Sequence, residues 1–362
     1  MPRISVIIVT AREESESFFP AWKEIANCIR SKRRCRYKPL SLVREPFRSL
    51  LLKCVKSDQR SFLEPTLESL KLQTFKDFEV IIVDWHRDKR SWISEKFDDL
   101  SIKHVRDKPS PWHSMKPPKG WEAKVKPVFP AVNNARNTGV ILAEGELLCF
   151  LDDNILLEPR VLETCWKWYL KGYGVKLIRN RFNIYESRIV FEPEFKGNPM
   201  YDALWSKGWC PYSYQGAWSH GFTVRLEHML QINGFEEVLL DGTVGAEDID
   251  CGKRLSNLLE KEKKKYRMVL DANATVWELG HIHIQEKRPC IRLNIELLNI
   301  VRNREKDVKA NTRKPTPEEL EKYRKKIEER GERLHPYWNI FPVEPFSLRE
   351  QREKYRRGEF KW

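Results

Sequence analysis

The sequence predicts an α/β protein built on a largely parallel sheet. Continuous apolar runs of five to seven residues begin at Ile4, Phe78 and Leu147, and such runs are typical of strands that are buried on both faces. Between the first two runs, leucines recur at helical spacing: Leu63, Leu67 and Leu70. A further helical segment, residues 131–143, leads into the third run. Strand and helix therefore alternate, which predicts βαβ units.

Composition excludes several classes of protein. The chain has 362 residues, of which 41% are hydrophobic and 11% aromatic, enough apolar material for a core and too much for a mainly disordered protein. No apolar stretch approaches the roughly 20 residues that cross a bilayer, and the Met1–Thr10 segment predicts a strand rather than a signal peptide. We therefore expect a cytoplasmic protein. Eight cysteines without a CxxC pair predict reduced thiols rather than disulfides or zinc ligands.

The net charge of +14 is concentrated in one segment. Between Arg30 and Arg60, eleven lysines and arginines face only Glu45 and Asp58, a local excess of nine positive charges. We interpret residues 14–60 approximately as an insertion after the first strand. Such a segment could bind an acidic acceptor, anionic lipid head groups or nucleic acid, or it could be a solvated surface.

The stretch AEGELLCFLDDNILLEP contains the strongest local signal. Its apolar run from Leu147 to Leu151 ends abruptly in Asp152, Asp153 and Asn154. In open α/β sheets, ligands bind at the carboxyl ends of the strands, and adjacent carboxylates there suit a hard divalent cation that carries a polyphosphate. The alternative is that the acids cap the next helix.

The second half of the chain has a mixed pattern. Residues 108–130 predict a long loop that could serve as a lid or contact an acceptor. Residues 244–259 predict a helix with Glu247 and Asp248 at its start and a buried stripe formed by three residues: Ile249, Leu255 and Leu259. After Pro289 the chain is predicted to be helical and highly charged.

Five segments in order resemble a known family. They are the first strand ending at Thr10, then SLKLQTFKDFEVIIVD, NNARNTGVILAEGELLCFLDDN and GFEEVLLDGTVGAEDIDCGKRL, and a histidine-bearing segment. This set resembles the inverting glycosyltransferases of the GT-A fold, the family-2 type, over residues 1–12 and 61–285. The resemblance implies a Rossmann-like nucleotide-binding mixed sheet flanked by helices within residues 1–285, including the basic insertion. A charged helical and aromatic extension would follow at residues 286–362.

The resemblance also implies where the donor nucleotide and a metal ion bind. Asp153 matches the family's metal-binding acid, Asp152 would contact the donor ribose, and Asp84 matches the acid that contacts the nucleobase. The implied donor-binding residues are Thr10, Arg12, Asp84, Arg136 and Asp152. The implied ligands of Mn²⁺ or Mg²⁺ are Asp153, Asn154 and His281. For Arg136, a surface salt bridge is the alternative to a contact with phosphate or base.

Several positions depart from the family pattern. Ala11 stands where the family often has an aromatic residue that stacks on the base, and Trp85 could supply that surface instead. Asn154 replaces an acid that is common in the motif. Glu278 occupies the place of the first histidine in the family's histidine segment, and His283 follows His281 two residues later.

The GAEDID segment matches the family's Glu-Asp motif. An inverting transfer is a single displacement that needs one carboxylate to accept the proton of the acceptor hydroxyl. The resemblance assigns Asp248 as this base and Glu247 as an orienting or acceptor-binding neighbour, whereas Asp250 is interpreted as structural. The alternative is that these acids only favour the dipole of the helix that they begin.

The sequence thus predicts a metal-dependent inverting glycosyltransferase. Its expected partners are a nucleotide-sugar donor, with a UDP-sugar favoured, and a glycan or lipid-linked acceptor, together with contact to an anionic membrane surface. A nucleotidyltransferase that forms sugar nucleotides is one alternative, although AREESESFF after the first strand lacks the expected glycine-rich basic loop. A non-enzymatic protein that binds anionic polymers and a catalytically inactive scaffold are the others. Nucleic acid is the less favoured partner, because it gives no reason for acids at strand ends.

Overall fold

The computed structural model describes residues 2–10, 63–115, 131–185, 188–193, 202–214, 221–241, 247–261, 268–278, 308–331, 334 and 339–360. The basic insertion and the predicted site residues Arg12 and His281 lie outside these residues, as do Ala11 and His283. No helix in the described part of the chain is both long and apolar enough to span a membrane.

The strands in chain order are β1 (Ile4–Thr10), β2 (Phe78–Asp84), β3 (Ile102–Val105), β4 (Leu147–Asp152), β5 (Ile155–Leu157), β6 (Gly174–Val175), β7 (Ile178–Tyr185), β8 (Arg188–Pro193), β9 (Trp209–Tyr212), β10 (Gly221–Arg225), β11 (Met268–Asp271) and β12 (Thr275–Glu278). The helices are α1 (Leu63–Lys71), α2 (Trp92–Lys96), α3 (Val132–Leu142), α4 (Val161–Leu170), α5 (Asp202–Lys207), α6 (Leu226–Gln231), α7 (Glu237–Leu240), α8 (Glu247–Lys261), α9 (Pro317–Glu329) and α10 (Leu348–Arg356).

A mixed five-stranded sheet lies at the centre of the fold. Its order is β10-β4-β1-β2-β3, in which β10 is antiparallel to β4 and the other four strands are parallel. The predicted α/β class, with a mostly parallel sheet flanked by helices, is confirmed. The pattern did not predict β3, because the four residues IKHV are too short a run to separate a strand from a loop.

Helices cover both faces of this sheet. Alternate residues of β1 point to opposite sides, so Ile4 and Ile8 pack with the buried leucines of α1, while Ile7 packs with α3. Gly139 permits the close approach of α3, since a Cβ at this position would lie 2.4 Å from Cγ2 of Ile7. The apolar strand runs are therefore buried on both faces, as the sequence predicts.

Two smaller sheets and the C-terminal helices complete the described fold. The smaller sheets have the orders β6-β11-β9 and β5-β12-β7-β8. Helix α10 packs against α3, where Leu348 joins the same apolar cluster as Ile7, and Tyr323 of α9 packs near the three apolar residues of α7. The helical character predicted after Pro289 is confirmed within residues 308–360.

Helix α8 corrects one detail of the predicted core. Its buried stripe consists of Cys251, Leu255 and Leu259, whereas Ile249 is only partly buried. These three buried apolar side chains are therefore four residues apart. Ile249 was predicted wrongly because it lies two residues before Cys251, on a different side of the helix.

Candidate active site

The carboxyl ends of three parallel strands meet at one edge of the central sheet. In the strand register, Thr10 of β1 lies opposite Asp84 of β2, and Val9 lies opposite Asp152 of β4. The structure therefore brings together residues that are 74 and 143 positions apart in the chain. We refer to this side of the sheet as the acidic edge, defined by Thr10, Asp84, Asp152 and Asp153.

Asp153 is fixed in place by two threonines. The Thr10 hydroxyl donates a 2.6 Å hydrogen bond to Oδ2 of Asp153, and the Thr66 hydroxyl of α1 donates to its backbone carbonyl at 2.8 Å. Asp153 and Asn154 are buried, whereas Asp152 remains partly exposed. The first strand and the acid motif, which the sequence predicts to share a site, are thus in direct contact.

The acids of this motif do not cap a helix. The short strand β5 follows them directly, and α4 begins only at Val161, after an N-cap, Arg160, that makes no side-chain capping bond. The capping alternative is therefore wrong. A pair of acids between two buried strands is held at the sheet edge by strand pairing rather than by a helix end.

Asp84 is completely buried and accepts three hydrogen bonds. Arg90 Nη1 and the backbone N–H of His86 donate to Oδ1 at 2.7 and 2.8 Å, and Nε2 of His104 lies 3.1 Å from Oδ2. Burial alone would raise the pKa of Asp84, but the bond from His104 and the charge of Arg90 outweigh it and lower the pKa below its ordinary value. Asp84 is therefore held as a carboxylate at the acidic edge.

Trp85 lies between two neighbours. Its ring centroid is 4.4 Å from that of His113, and the Arg106 guanidinium lies 5.4 Å from it. Stacking of a nucleobase on Trp85 remains a prediction. The Trp85 ring already contacts a histidine and an arginine, so a base that stacked on it would have to share the ring with these neighbours.

Arg136 links the acidic-edge half of the molecule to helix α8. Its Nη1 atom lies 3.4 Å from Oε1 of Glu247, and its guanidinium lies 5.2 Å from the ring centroid of Phe235. Both members of this ion pair are 9% exposed. Two residues that the resemblance assigns to opposite substrates, donor and acceptor, therefore contact each other directly.

The three acids at the start of α8 differ in their surroundings. Glu247 pairs with Arg136, and Asp250 is buried and receives a 2.8 Å bond from Nε of Arg254. Arg254 also pairs with Glu236, which agrees with a structural role for Asp250. Asp248 is more exposed than either neighbour. The acid predicted to be the catalytic base is thus the one that an acceptor could approach most readily.

The NNARNTG motif has a function that the sequence did not predict. The Asn137 side chain donates to the Phe235 carbonyl at 2.8 Å and accepts from the Phe235 N–H at 2.9 Å. The same amide group donates to Glu237 at 2.8 Å. Gly234 adopts a φ of 76°, and a Cβ there would lie 2.3 Å from Oδ1 of Asn137. The motif therefore holds the GFEE segment, which precedes α8, against α3.

A second group of buried charged residues lies at the N-terminus of α3. Asp241 accepts hydrogen bonds from the backbone N–H groups of Asn133 and Asn134, at 3.0 and 3.1 Å. Nearby, Lys108 Nζ lies 2.6 Å from Oε2 of Glu237. Burial, followed by repulsion from Glu237, raises the pKa of Asp241 well above its ordinary value, although Lys108 and the two backbone bonds oppose this.

Glu278 lies beside the acid motif. It is the strand partner of Ile155, the residue directly after Asn154, and it accepts a 2.9 Å contact from Nη1 of Arg179. Arg179 carries no sequence signal, because its role depends on the pairing of β7 with β12.

The donor chemistry of the acidic edge fits a hard divalent cation in part. Among the described residues, no three His, Cys, Asp or Glu side chains form a group that could hold a metal ion alone. Asp152 and Asp153 nevertheless offer carboxylate oxygens, which Mg²⁺ and Mn²⁺ prefer, and a cation that also binds a diphosphate needs few protein ligands.

Comparison with known proteins gives similarity at the level of structure. No protein-family model matches the chain, and no curated protein matches it. The chain is similar to the crystal structure of S. aureus TarS, with 15% identity, a TM-score of 0.41, and coverage of 77% of this chain and 37% of that one. It is also similar to the mannosyltransferase PcManGT from Pyrobaculum calidifontis in complex with GDP-Man and Mn²⁺, with 16% identity, a TM-score of 0.46, and coverage of 89% and 68%.

A third similar structure is S. aureus TarS 1–349 in complex with UDP-GlcNAc. Identity is 15%, the TM-score is 0.42, and the match covers 78% of this chain and 61% of that one. This chain thus spans about a third of the longer TarS chain and about two thirds of the other two. Similarity of this degree assigns no role to any residue of the site.

Proposed function

We propose that this chain is a glycosyltransferase that transfers a sugar from a nucleotide-diphosphate sugar to a hydroxyl group of a glycan, lipid or protein-linked acceptor. The observation that carries the proposal is the acidic edge, where Thr10 and Asp153 are in contact beside Asp84. Helix α8 is joined to this half of the molecule through the Arg136–Glu247 pair. Crevices at the carboxyl ends of parallel strands are where open α/β sheets bind nucleotides.

The donor nucleotide is assigned to the acidic edge. Asp84 and Thr10 end the two adjacent strands on which a nucleoside would lie, and Asp152 is the partly exposed acid that could reach a ribose hydroxyl. Arg136 is assigned to a phosphate of the donor, although its guanidinium is shared with Glu247. A UDP-sugar is the favoured donor, and Arg12 belongs to the same assignment.

A divalent cation, Mn²⁺ or Mg²⁺, is proposed as the cofactor. Asp153 would hold it, together with Asn154 and His281. When bound, it would neutralise the negative charge that develops on the departing nucleoside diphosphate. The neighbouring threonines support this assignment because they restrict the position of Asp153.

Asp248 is assigned as the general base of an inverting transfer. The acceptor oxygen forms its bond to the anomeric carbon as the bond from that carbon to the diphosphate oxygen breaks, and the electron pair leaves with the nucleoside diphosphate. The acceptor proton passes to Asp248. Glu247 is proposed to orient the start of α8, and with it Asp248, through its ion pair with Arg136.

Two regions are assigned to the acceptor. One is the second half of the chain. The other is the basic insertion, residues 14–60 approximately, which is proposed to serve an acidic acceptor or an anionic membrane surface, because it lies outside the segments that match the family's nucleotide site. Its removal should raise the acceptor KM or release the protein from anionic vesicles, with donor affinity unchanged.

Calorimetric titration of UDP and GDP tests the donor assignment. We expect binding in Mn²⁺, and an affinity at least roughly tenfold weaker in excess chelator. Asp153→Asn should remove the metal-dependent part, since the amide can still accept from Thr10 but carries no charge. Asp77→Asn is the matched control, because Asp77 is an exposed acid before β2, paired with Arg3. Equal affinities with and without Mn²⁺ would contradict the metal assignment, and no binding of either nucleotide would contradict the proposed function.

A further inference from the structure

A second cleft lies at the opposite edge of the central sheet. It has a volume of about 350 Å³. In the strand register Arg225 lies opposite Leu147, the first residue of β4, so the cleft lies at the end of β4 away from Asp152. We call it the arginine cleft, and its principal lining residues are Glu146, Tyr169, Arg225, Arg349, Arg352 and Arg356.

Arg352 is the most buried of these residues. Its side chain belongs to α10 and is 4% exposed. One guanidinium nitrogen, Nη1, donates to the carbonyls of Val140 and Ile141 at 2.9 and 2.7 Å, at the C-terminal end of α3. The other, Nη2, is buried and has no hydrogen-bond partner in the described part of the chain. A buried guanidinium N–H without an acceptor is costly, and Arg352 also lines the cleft, where a bound anion would place negative charge beside it.

Two further cations in the cleft have no carboxylate partner among the described residues. Arg225 Nη2 donates to the backbone carbonyl of Tyr169 at 3.1 Å, and its guanidinium lies 4.4 Å from the Tyr169 ring centroid. Arg356 is exposed and forms no ion pair in the described part of the chain. Arg352 likewise has only carbonyl partners.

Two acids of the cleft are bonded to other residues that line it. Glu146 accepts a 2.6 Å hydrogen bond from the Tyr169 hydroxyl, and Glu227 forms an ion pair with Arg349. Glu353 is exposed on α10. The cations Arg225, Arg352 and Arg356 therefore outnumber the acids not already paired with an arginine, Glu146 and Glu353.

We propose that the arginine cleft binds a phosphate-class oxyanion, which is held by the guanidinium groups of Arg225 and Arg356 beside the buried guanidinium of Arg352. Arginine is the side chain best suited to such a ligand, because its planar donors match the geometry of phosphate oxygens. The site is distinct from the acidic edge and does not depend on the proposed transferase activity.

The protonation behaviour of Arg352 agrees with this assignment. Burial, followed by repulsion from Arg356, lowers the pKa of Arg352 to about 10, although Glu79 and Glu144 act in the opposite direction. Glu79 and Glu144 supply part of the compensating negative charge, and a bound anion would add to it. The alternative role for Arg352 is to cap α3 alone, through the two carbonyls at its C-terminal end.

Titration of the full chain with inorganic phosphate tests the proposal. Calorimetry and melting temperature are measured against sodium chloride of equal ionic strength, so that general salt effects are removed. We expect saturable binding and a higher melting temperature in phosphate. Arg356→Gln should weaken phosphate binding by roughly tenfold, and Arg356→Lys should restore part of it. Arg357→Gln is the matched control, because Arg357 is the adjacent exposed arginine and pairs with Glu359 outside the cleft.

Further measurements locate the anion-binding site and identify the source of the anion. Asp153→Asn should leave phosphate binding unchanged, since that residue lies at the other edge of the sheet. Binding to vesicles that contain phosphatidic acid, lost in Arg356→Gln, would identify a lipid head group, whereas phosphate binding without vesicle binding would identify a soluble phosphate ligand. Both results support the site. No saturable phosphate binding, equal weakening in Arg356→Gln and Arg357→Gln, or loss of binding in Asp153→Asn would overturn it.

Discussion

Two buried aspartates, Asp84 and Asp241, respond to burial in opposite ways. Asp84, at the end of β2, is fully buried and has a lowered pKa, whereas Asp241, at the N-terminus of α3, is 3% exposed and has a raised one. Both carboxylates accept backbone N–H bonds. The difference lies in the charged groups around them.

The comparison shows that the charge of the partners decides whether the effect of burial on the pKa is reversed. Asp84 faces Arg90 and His104, which favour its charged form. Asp241 faces Glu237, and the nearest cation, Lys108, is already bonded to that glutamate. Desolvation penalises the charged form of both residues, but only Asp84 has side-chain partners that reverse it. Asp84 at the acidic edge is thus held more firmly as a carboxylate, whereas Asp241 at the N-terminus of α3 takes up a proton more readily than an exposed aspartate.

A third aspartate, Asp248, extends the comparison to chemistry and gives the largest expected effect. Asp248→Asn keeps the shape of the side chain at the start of α8 but removes the proposed proton acceptor. We expect the transfer rate to fall by about 10² to 10⁴, the range typical of general base catalysis, with donor affinity retained. Transfer rate, nucleotide affinity and melting temperature should be measured on one preparation.

The control for Asp248→Asn is Glu318→Gln. Glu318 is an exposed acid in the first turn of α9, so this variant reports the effect of removing an acid from a helix start outside the proposed site. If Asp248→Asn transferred sugar at a near-normal rate, or if the product of the parent enzyme retained the donor's configuration, the assignment of Asp248 as base would be wrong.

Asp84→Asn should produce the next largest effect, on stability. The substitution leaves Arg90 buried without its counter-charge and replaces one acceptor oxygen by a donor that faces His104. Breaking a buried ion pair in this way typically costs about 3 to 5 kcal/mol of unfolding free energy. Urea denaturation would measure the loss, with the exposed Asp77→Asn as the control. A loss as small as that of the control would show that Arg90 and His104 contribute little.

The effect of Asp84 should depend on pH. Because its pKa is lower in the folded protein, the folded state binds fewer protons than the unfolded chain. The stabilisation is therefore present above the ordinary aspartate pKa of about 3.9 and is lost as the pH falls through the lower, native value. The difference between the parent protein and Asp84→Asn should shrink in acid, by at most about 1.4 kcal/mol per pH unit. A constant difference from pH 7 to pH 3 would contradict this linkage.

The central sheet could be predicted from sequence because its signal is local. The runs of β1, β2 and β4 were predicted to within one residue, since strands buried on both faces are continuously apolar. The position of Asp84 beside Thr10 follows once the strands are parallel and adjacent. The contact between Thr10 and Asp153 follows from the same edge rule.

The partners of these acids could not be predicted, because they depend on distant contacts without periodicity. Lys108 and Glu237 are 129 residues apart, and neither belongs to a regular apolar pattern. Asn137 bonds to the backbone beside Gly234 only when α3 lies against the GFEE segment. The sequence therefore indicates where charged residues cluster, whereas the direction in which the pKa of each acid shifts depends on tertiary packing.

Asp241→Asn should have the smallest effect and the opposite pH dependence. The amide retains one acceptor for the N–H groups of Asn133 and Asn134 and removes a negative charge beside Glu237. The loss of a helix-dipole interaction and the relief of a buried charge oppose each other, so we expect a change within about 1 kcal/mol at neutral pH. Because the native pKa of Asp241 is raised, the folded protein binds an extra proton between about pH 3.9 and that raised value. The parent protein should therefore gain stability relative to Asp241→Asn as the pH falls through this window. Urea denaturation of both proteins at several pH values measures this, and a parent that instead lost stability relative to the variant would show that Lys108 acts on Asp241 more strongly than Glu237 and burial together.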